Sequence, residues 1–267
     1  MTVDISRATA DELRSIAERG AVELDGANAQ ELLQWTEDTF GDGASAATGD
    51  RSGASAATGD RSGASAATGD RSGYIVASNM QDGVLVHLAA QVHPGVDVLF
   101  LDTGYHFPET IGTRDAVEQV YGVNVINARA LASVAEQDVA EGKDLFARDP
   151  NRCCALRKVA PLKQTLSGYS AWVTGIRRVE APTRANAPLI SFDDAFGLVK
   201  INPIAPWSDE EMQNYIDTHS ILVNPLVDEG YPSIGCAPCT SKPAPGSDPR
   251  SGRWAGASKT ECGLHAS

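Results

Sequence analysis

The sequence is short of several things, and each shortage excludes something. Basic residues are outnumbered, 22 Lys and Arg against 35 Asp and Glu, and the formal charge of −13 disfavours non-specific nucleic-acid binding and attraction to anionic membranes. No apolar run is long enough to cross a bilayer, since 83–92 and 96–101 are too short or interrupted. The start, MTVDISRATADELRS, lacks the basic opening and apolar core of a secretory signal. A cytoplasmic protein without membrane contact is therefore expected. Cysteine is scarce and odd in number, five in all, which argues against a framework made only of disulfides. In a reducing compartment such cysteines more often bind metal or do chemistry.

What is present divides the chain unevenly. Residues 43–72 are the decapeptide GASAATGDRS written three times, and without them 237 of the 267 residues remain, a comfortable length for one α/β domain. The repeat has no net charge and almost nothing to bury. A ten-residue unit without Leu, Ile, Val or an aromatic cannot build a solenoid, so a flexible insertion with no function of its own is expected. An adhesive or regulatory linker is the alternative. Before it, residues 1–42 read as two helices. Thr9 and Glu12 fit a capping box, Leu13, Ile16 and Ala17 give an apolar stripe that Gly20 can end, and a second helix runs over 30–40.

After the repeats, strands and helices alternate: strand 74–78, helix 82–91, strand 96–101, helix 108–121 ending at Gly122, and strand 123–126. A helix over 151–166, a strand at 171–174, a strand pair at 189–192 and 198–201, and a helix at 208–218 follow. That spacing predicts βαβ units, an α/β fold with a mostly parallel sheet and helices on both faces. From residue 232 onward Gly, Pro and Ser dominate, so 73–231 is read as the α/β domain and 232–267 as a flexible tail of the same functional unit.

Three of the five cysteines lie in that tail. Cys153 and Cys154 are adjacent, while Cys236 and Cys239 form Cys-Ala-Pro-Cys. Four thiolates in two pairs make a donor set that zinc or an iron–sulfur cluster accepts. Consecutive residues on a helix diverge by about 100°, which favours a [4Fe–4S] cluster over a single zinc. A buried cysteine pair beside an unrelated CxxC remains the bland alternative. Cys262 stands apart, with Lys259 and His265 three residues to either side, and nearby cations favour the nucleophilic thiolate.

The segments Arg152-Cys-Cys-Ala-Leu-Arg-Lys-Val159, Val173-Thr-Gly-Ile-Arg-Arg178, Pro182-Thr-Arg184, Gly235-Cys-Ala-Pro-Cys239 and Glu261-Cys-Gly-Leu-His265 resemble the assimilatory adenosine 5′-phosphosulfate (APS) reductases. These are the cluster-bearing branch of the APS/PAPS reductase family, and Leu101-Asp-Thr-Gly-Tyr-His-Phe-Pro-Glu-Thr110 is similar to that family's strand-end motif. The likeness runs from Tyr74 to His265 and includes the helical N-terminus. It implies an adenine-nucleotide α-hydrolase-like fold of the PP-loop type, with the nucleotide at the C-terminal edge of the sheet. It also implies an adenylyl-sulfate reductase that converts APS and reduced thioredoxin to sulfite, AMP and oxidised thioredoxin through an S-sulfocysteine. By position Cys262 is the nucleophile, and Cys153, Cys154, Cys236 and Cys239 hold the [4Fe–4S] cluster. Lys158 matches the lysine linking cluster and substrate, Arg184, Arg250 and Arg253 match positions that bind the phosphosulfate, and His265 follows the nucleophile. A homo-oligomer is compatible with the resemblance, which leaves oligomeric state open.

The charges agree with an anion site. Residues 143–184 hold nine Lys and Arg against three acids, and residues 242–259 hold four against Asp248. Attack by one anion on another needs such fixed cations. The loop after the first strand, Ala77-Ser-Asn-Met-Gln-Asp-Gly83, has neither the glycine pair nor the lysine of ATP-using relatives. That argues against ATP hydrolysis and leaves Ser78 and Asn79 as the expected contacts, with Asp102 either a ribose or amide partner or a helix cap. A reductase preferring 3′-phosphorylated APS (PAPS) and a non-catalytic Fe–S or zinc nucleotide sensor are the alternatives. The four cluster cysteines speak against the first, and the Glu-Cys-Gly-Leu-His tail against the second.

Overall fold

The computed structural model describes Ile5, residues 8–41 and residues 72–254; the rest of the decapeptide array, Cys262 and His265 lie outside the described residues. The helices α1 (Ala10–Glu23) and α2 (Ala29–Phe40) open with reciprocal capping boxes, Thr9 with Glu12 and Asn28 with Glu31. Gly20 does not end α1. A β-carbon there would lie 2.6 Å from the Trp35 ring, so this glycine lets α1 pack closely on α2 and the helix runs on to Glu23.

The strands are β1 (Ser72–Ala77), β2 (Asp97–Asp102), β3 (Asn124–Arg129), β4 (Tyr169–Val173), β5 (Ile190–Asp193) and β6 (Leu198–Ile201). They form one sheet in the order β3-β2-β1-β4-β6-β5, parallel throughout except for the antiparallel pairing of β5 with β6. Alternation along β1 shows why Tyr74, Ile75 and Val76 are all apolar. Tyr74 and Val76 enter a core shared with α1, α2 and α3 (Val84–Val92), while Ile75 meets Leu162 and Leu166 on the opposite face. The two leucines belong to α8 (Ala160–Leu166), and each buried leucine contributes about 2 kcal/mol. The outer edge strand β5 is shielded by α1, whose Arg14 lies over the Phe192 ring at 4.2 Å and pairs with Asp194 at 2.6 Å.

Between β2 and β3 runs α4 (Pro108–Tyr121), with proline in its first turn and Gly122 in the left-handed conformation at φ 62° behind it. The short helices α5 (Val134–Glu141), α6 (Leu145–Arg148) and α7 (Pro150–Cys154) follow β3, and α9 (Asp209–His219) precedes the C-terminal segment. None of the helices among the described residues is long and apolar enough to cross a membrane.

The array enters the fold at a particular edge. The residues that flank it are neighbours: a β-carbon on Gly73 would lie 2.5 Å from the Phe40 carbonyl oxygen and 3.9 Å from the Gly41 Cα. That point is the beginning of β1, about 17 Å along the strand from the loop that follows it. Deleting residues 42–71, which joins Gly41 to Ser72, is therefore expected to leave turnover unchanged. A shorter closure should if anything raise stability, by no more than about 2 kcal/mol. Thermal melting and a sulfite assay check this, and a lost transition or lost activity would contradict it.

Candidate active site

Sheet order reverses between β1 and β4, the kind of switch point beside which open α/β sheets bind their ligands. The loop after β1 is closely braced. The Ser78 hydroxyl accepts from the Met80 N–H at 3.2 Å, the Asn79 side chain from the Gln81 N–H at 3.1 Å, and Asp82 from the Val84 N–H at 3.1 Å. These side chains thus fill amides that a phosphate-binding glycine loop would leave open, and Met80 takes φ 60°. Burial raises the Asp82 pKa, against the pull of its amide bond and of Arg177.

The loop after β2 carries Thr103 and Tyr105. Although burial opposes it, hydrogen bonds from Arg129 (2.9 Å) and the Gly104 N–H (3.2 Å) hold Asp102 below the ordinary carboxylate range. Asp102 thus works as the brace of its own turn. His106, stacked on Phe100 at 4.7 Å, is kept below the usual imidazole pKa by burial.

Behind these loops the chain approaches β4 through α7, and here the helix changes form. Residues Ala155–Val159 make a π turn, closed by Ala160 N–H donating to the Ala155 carbonyl. Pro161 gives the local reason: it has no N–H for the Arg157 carbonyl and its ring crowds that carbonyl, so the regular ladder cannot continue. Cys153 and Cys154, immediately before the wider turn, are both buried at 7% exposure.

The two cysteine pairs meet in one cavity. Cys153, Cys154, Cys236 and Cys239 line it with Lys158, and Tyr105, Phe146 and Pro150 supply its apolar wall. The Thr103 hydroxyl lies 3.2 Å from the Cys236 sulfur, and the Ala237 N–H donates to the Tyr105 carbonyl at 2.7 Å, seating the CxxC turn on the β2 loop. Arg157 clamps the same loop by donating to the Thr103 carbonyl, to the Ala132 carbonyl at 3.2 Å and to Gln137 at 3.1 Å. Burial, then the neighbouring Cys236, push the Cys239 thiol up to about 11, with Lys158 opposing, and burial raises Cys153 as well. Thiols held this way stay protonated at neutral pH until a metal displaces the proton. Among the described residues no three His, Cys, Asp or Glu side chains close on one point as the ligands of a single ion do; the four thiols are spread around the cavity wall.

These observations coincide with the comparisons. Residues 73–242 match the phosphoadenosine phosphosulfate reductase domain. The chain belongs to the phosphoadenosine phosphosulfate reductase family. Over 267 residues, 100% of both chains, it is 91% identical to the adenosine 5′-phosphosulfate reductase of Rhodococcus erythropolis. A protein of the same name from Mycolicibacterium smegmatis is 66% identical over 264 residues, 99% of each chain. Among solved structures it is similar to the phosphoadenylyl-sulfate (PAPS) reductase of Candida auris in a phosphate complex. The TM-score is 0.60 at 22% identity, over 84% of this chain and 96% of that one, and the likeness speaks for the fold.

In this member of the phosphoadenosine phosphosulfate reductase family the expected site residues fall into four groups. The four paired cysteines and Lys158 share the cavity, and Arg253 is near enough to act on Cys239. Arg253 is also engaged locally: it donates to Ser233 at 3.2 Å and to the Ile234 carbonyl at 3.1 Å, and lies 4.8 Å from the Trp254 ring. Arg184 pairs with Glu180 at 2.5 Å, which also meets Arg177 at 3.7 Å, and Arg250 sits in the turn that Asp248 caps. Ser78 and Asn79 belong to the β1 loop. Cys262 and His265 lie beyond the described residues, but the path towards them is partly visible. Thr240 bridges Arg253, and the Trp254 N–H donates to the Cys239 carbonyl at 3.0 Å, so the segment before Cys262 is tied to the CxxC turn. Sequence reasoning passed over Thr103, Arg157 and Gln81. All three sat inside quoted segments, and the local signal was a polar residue within a few places of a cysteine or a strand end.

Proposed function

We propose that this chain reduces adenosine 5′-phosphosulfate to sulfite and AMP at the expense of a dithiol protein of the thioredoxin type, in assimilatory sulfate reduction in the cytoplasm. The observation that carries this is the gathering of four thiols from two distant segments into one cavity with Lys158, at the C-terminal edge of the sheet. Relatives of 91% and 66% identity bearing the name adenosine 5′-phosphosulfate reductase support it.

In this reading Cys153, Cys154, Cys236 and Cys239 hold a [4Fe–4S] cluster. Consecutive cysteines on a helix diverge by about 100°, which suits a multi-iron group better than one zinc. Held by these four thiolates, such a cluster would join α7 to the CxxC turn and would not supply electrons to the substrate. Lys158, buried beside it, holds positive charge towards the substrate's anionic groups, with Arg184, Arg250 and Arg253 as further cations and Ser78 and Asn79 shaping the nucleotide loop.

The Cys262 thiolate attacks the sulfur of the substrate's sulfonate. The new S–S bond forms as the S–O bond to the phosphate breaks, and AMP leaves with that electron pair. A thiolate of the dithiol partner then attacks the Cys262 sulfur, releasing sulfite, and its second thiol resolves the mixed disulfide. The partner loses two electrons and Cys262 returns as a thiol. His265, three residues on, supplies a nearby cation that favours the thiolate.

Sulfite release from APS and from its 3′-phosphorylated form, measured side by side with a reduced thioredoxin, tests the reading. APS is expected to react faster by at least about 10-fold, the scale set by one unaccommodated charged group. Faster release from the 3′-phosphorylated substrate would overturn the assignment.

A further inference from the structure

The loop after β1 and the CxxC turn are far apart in sequence, yet a single side chain joins them. The Gln81 amide oxygen accepts from the Ile234 N–H at 3.0 Å, while its amide nitrogen donates to the Pro232 carbonyl at 3.2 Å. From the other side the Ile234 carbonyl accepts from Arg253 at 3.1 Å, and Ser233 accepts from the same guanidinium at 3.2 Å. The short stretch 232–234, ending two residues before Cys236, is therefore held by the β1 loop on one side and by the C-terminal segment on the other.

The backbone of the loop is held by an earlier stretch, 222–224. Gly83 N–H donates to the Leu222 carbonyl at 2.8 Å, Asp82 bridges Val223, and the Asn224 N–H donates to the Gln81 carbonyl at 2.9 Å. Fully buried Asn224 adds a side-chain bond to the Met80 carbonyl at 3.1 Å. These grips fasten the loop to 222–224. Among the described residues the hydrogen bonds that carry the connection on to 232–234 come from the Gln81 side chain, which uses both a donor and an acceptor at one position.

We propose that Gln81 is a positioning residue that couples the nucleotide-side loop to the cysteine-bearing turn, so that occupation of the loop tightens the segment leading into Cys236 and, through Arg253, the segment leading towards Cys262. Its functional meaning rests on the reading above, that this loop contacts the nucleotide.

Hydrogen–deuterium exchange on the full-length holoenzyme, with AMP as the probe, separates the two. In the wild type AMP slows exchange both in 78–83 and in 232–239. In Gln81→Met, which keeps the volume and loses both bonds, protection of 78–83 persists. Protection of 232–239 falls by about 5-fold, the equivalent of one hydrogen bond's net contribution. Should Gln81→Met lose its far-UV spectrum, Gln81→Glu takes its place: it keeps the acceptor for Ile234 and sets an oxygen against the Pro232 carbonyl. Equal protection of 232–239 in variant and wild type overturns the proposal, as does a wild type in which AMP leaves that segment unprotected. Absence of sulfite release by the wild type would instead sink the functional reading alone, because exchange is read without turnover.

Discussion

Cys262→Ser is expected to lower sulfite release by at least about 10³-fold, because a serine hydroxyl at neutral pH offers almost none of the anion that a cysteine does. The loss should be confined to chemistry. In the proposed reading Cys262 is the nucleophile and the four paired cysteines hold the iron, so iron content and the visible absorbance of the variant should equal those of the wild type. Mass spectrometry of the wild type after mixing with APS, without reductant, should find a sulfonate on Cys262 and on no other cysteine. Turnover persisting in the serine variant, or an adduct on Cys239, would move the nucleophile elsewhere.

Cys236→Ser is expected to fail differently, losing iron and activity together. Cys236 is buried at 8% exposure, its sulfur meets the Thr103 hydroxyl, and its turn sits on the Tyr105 carbonyl, so an oxygen there has neither the reach nor the softness to replace the thiolate. The fold should survive, since none of the four cysteines belongs to either of the two apolar clusters that sandwich the sheet. A far-UV spectrum like the wild type's with iron reduced by at least about 10-fold is the expected pair of measurements, in line with cysteine thiolates as the holders of such clusters. Full iron retention would remove Cys236 from the ligand set.

The sequence spoke plainly where a local signal and a local cause coincide. Pro108 and Gly122 bracket α4 because one is preorganised for a first turn and the other tolerates positive φ. The cysteine pairs were equally legible, since two adjacent thiols and a CxxC are local patterns. The helix α5 escaped notice although Ser133 and Glu136 form a capping box. It buries only Gln137 and leaves Val139 exposed, so no apolar stripe announces it. The array precedes Tyr74 in sequence, and β1 carries the chain away from that edge before the loop at 78–83 begins. Thr103 and Gln81 stand in quoted segments, but their roles could not be read. Their partners lie 133 and 153 residues away, and only the sheet order brings them together.

The π turn at Ala155–Val159 separates two demands that a regular helix could not meet at once. Beyond it, α8 must aim Leu162 and Leu166 at the sheet; before it, Cys153 and Cys154 must both face the strand-end loops. Each residue added to or taken from a helix turns everything beyond it by about 100°. The turn is thus a phase shifter, fixing the azimuth of the thiols independently of the leucines. Side chains along 155–159 can vary while that offset is kept, but the number of residues there cannot change without swinging the cysteine pair out of its cavity.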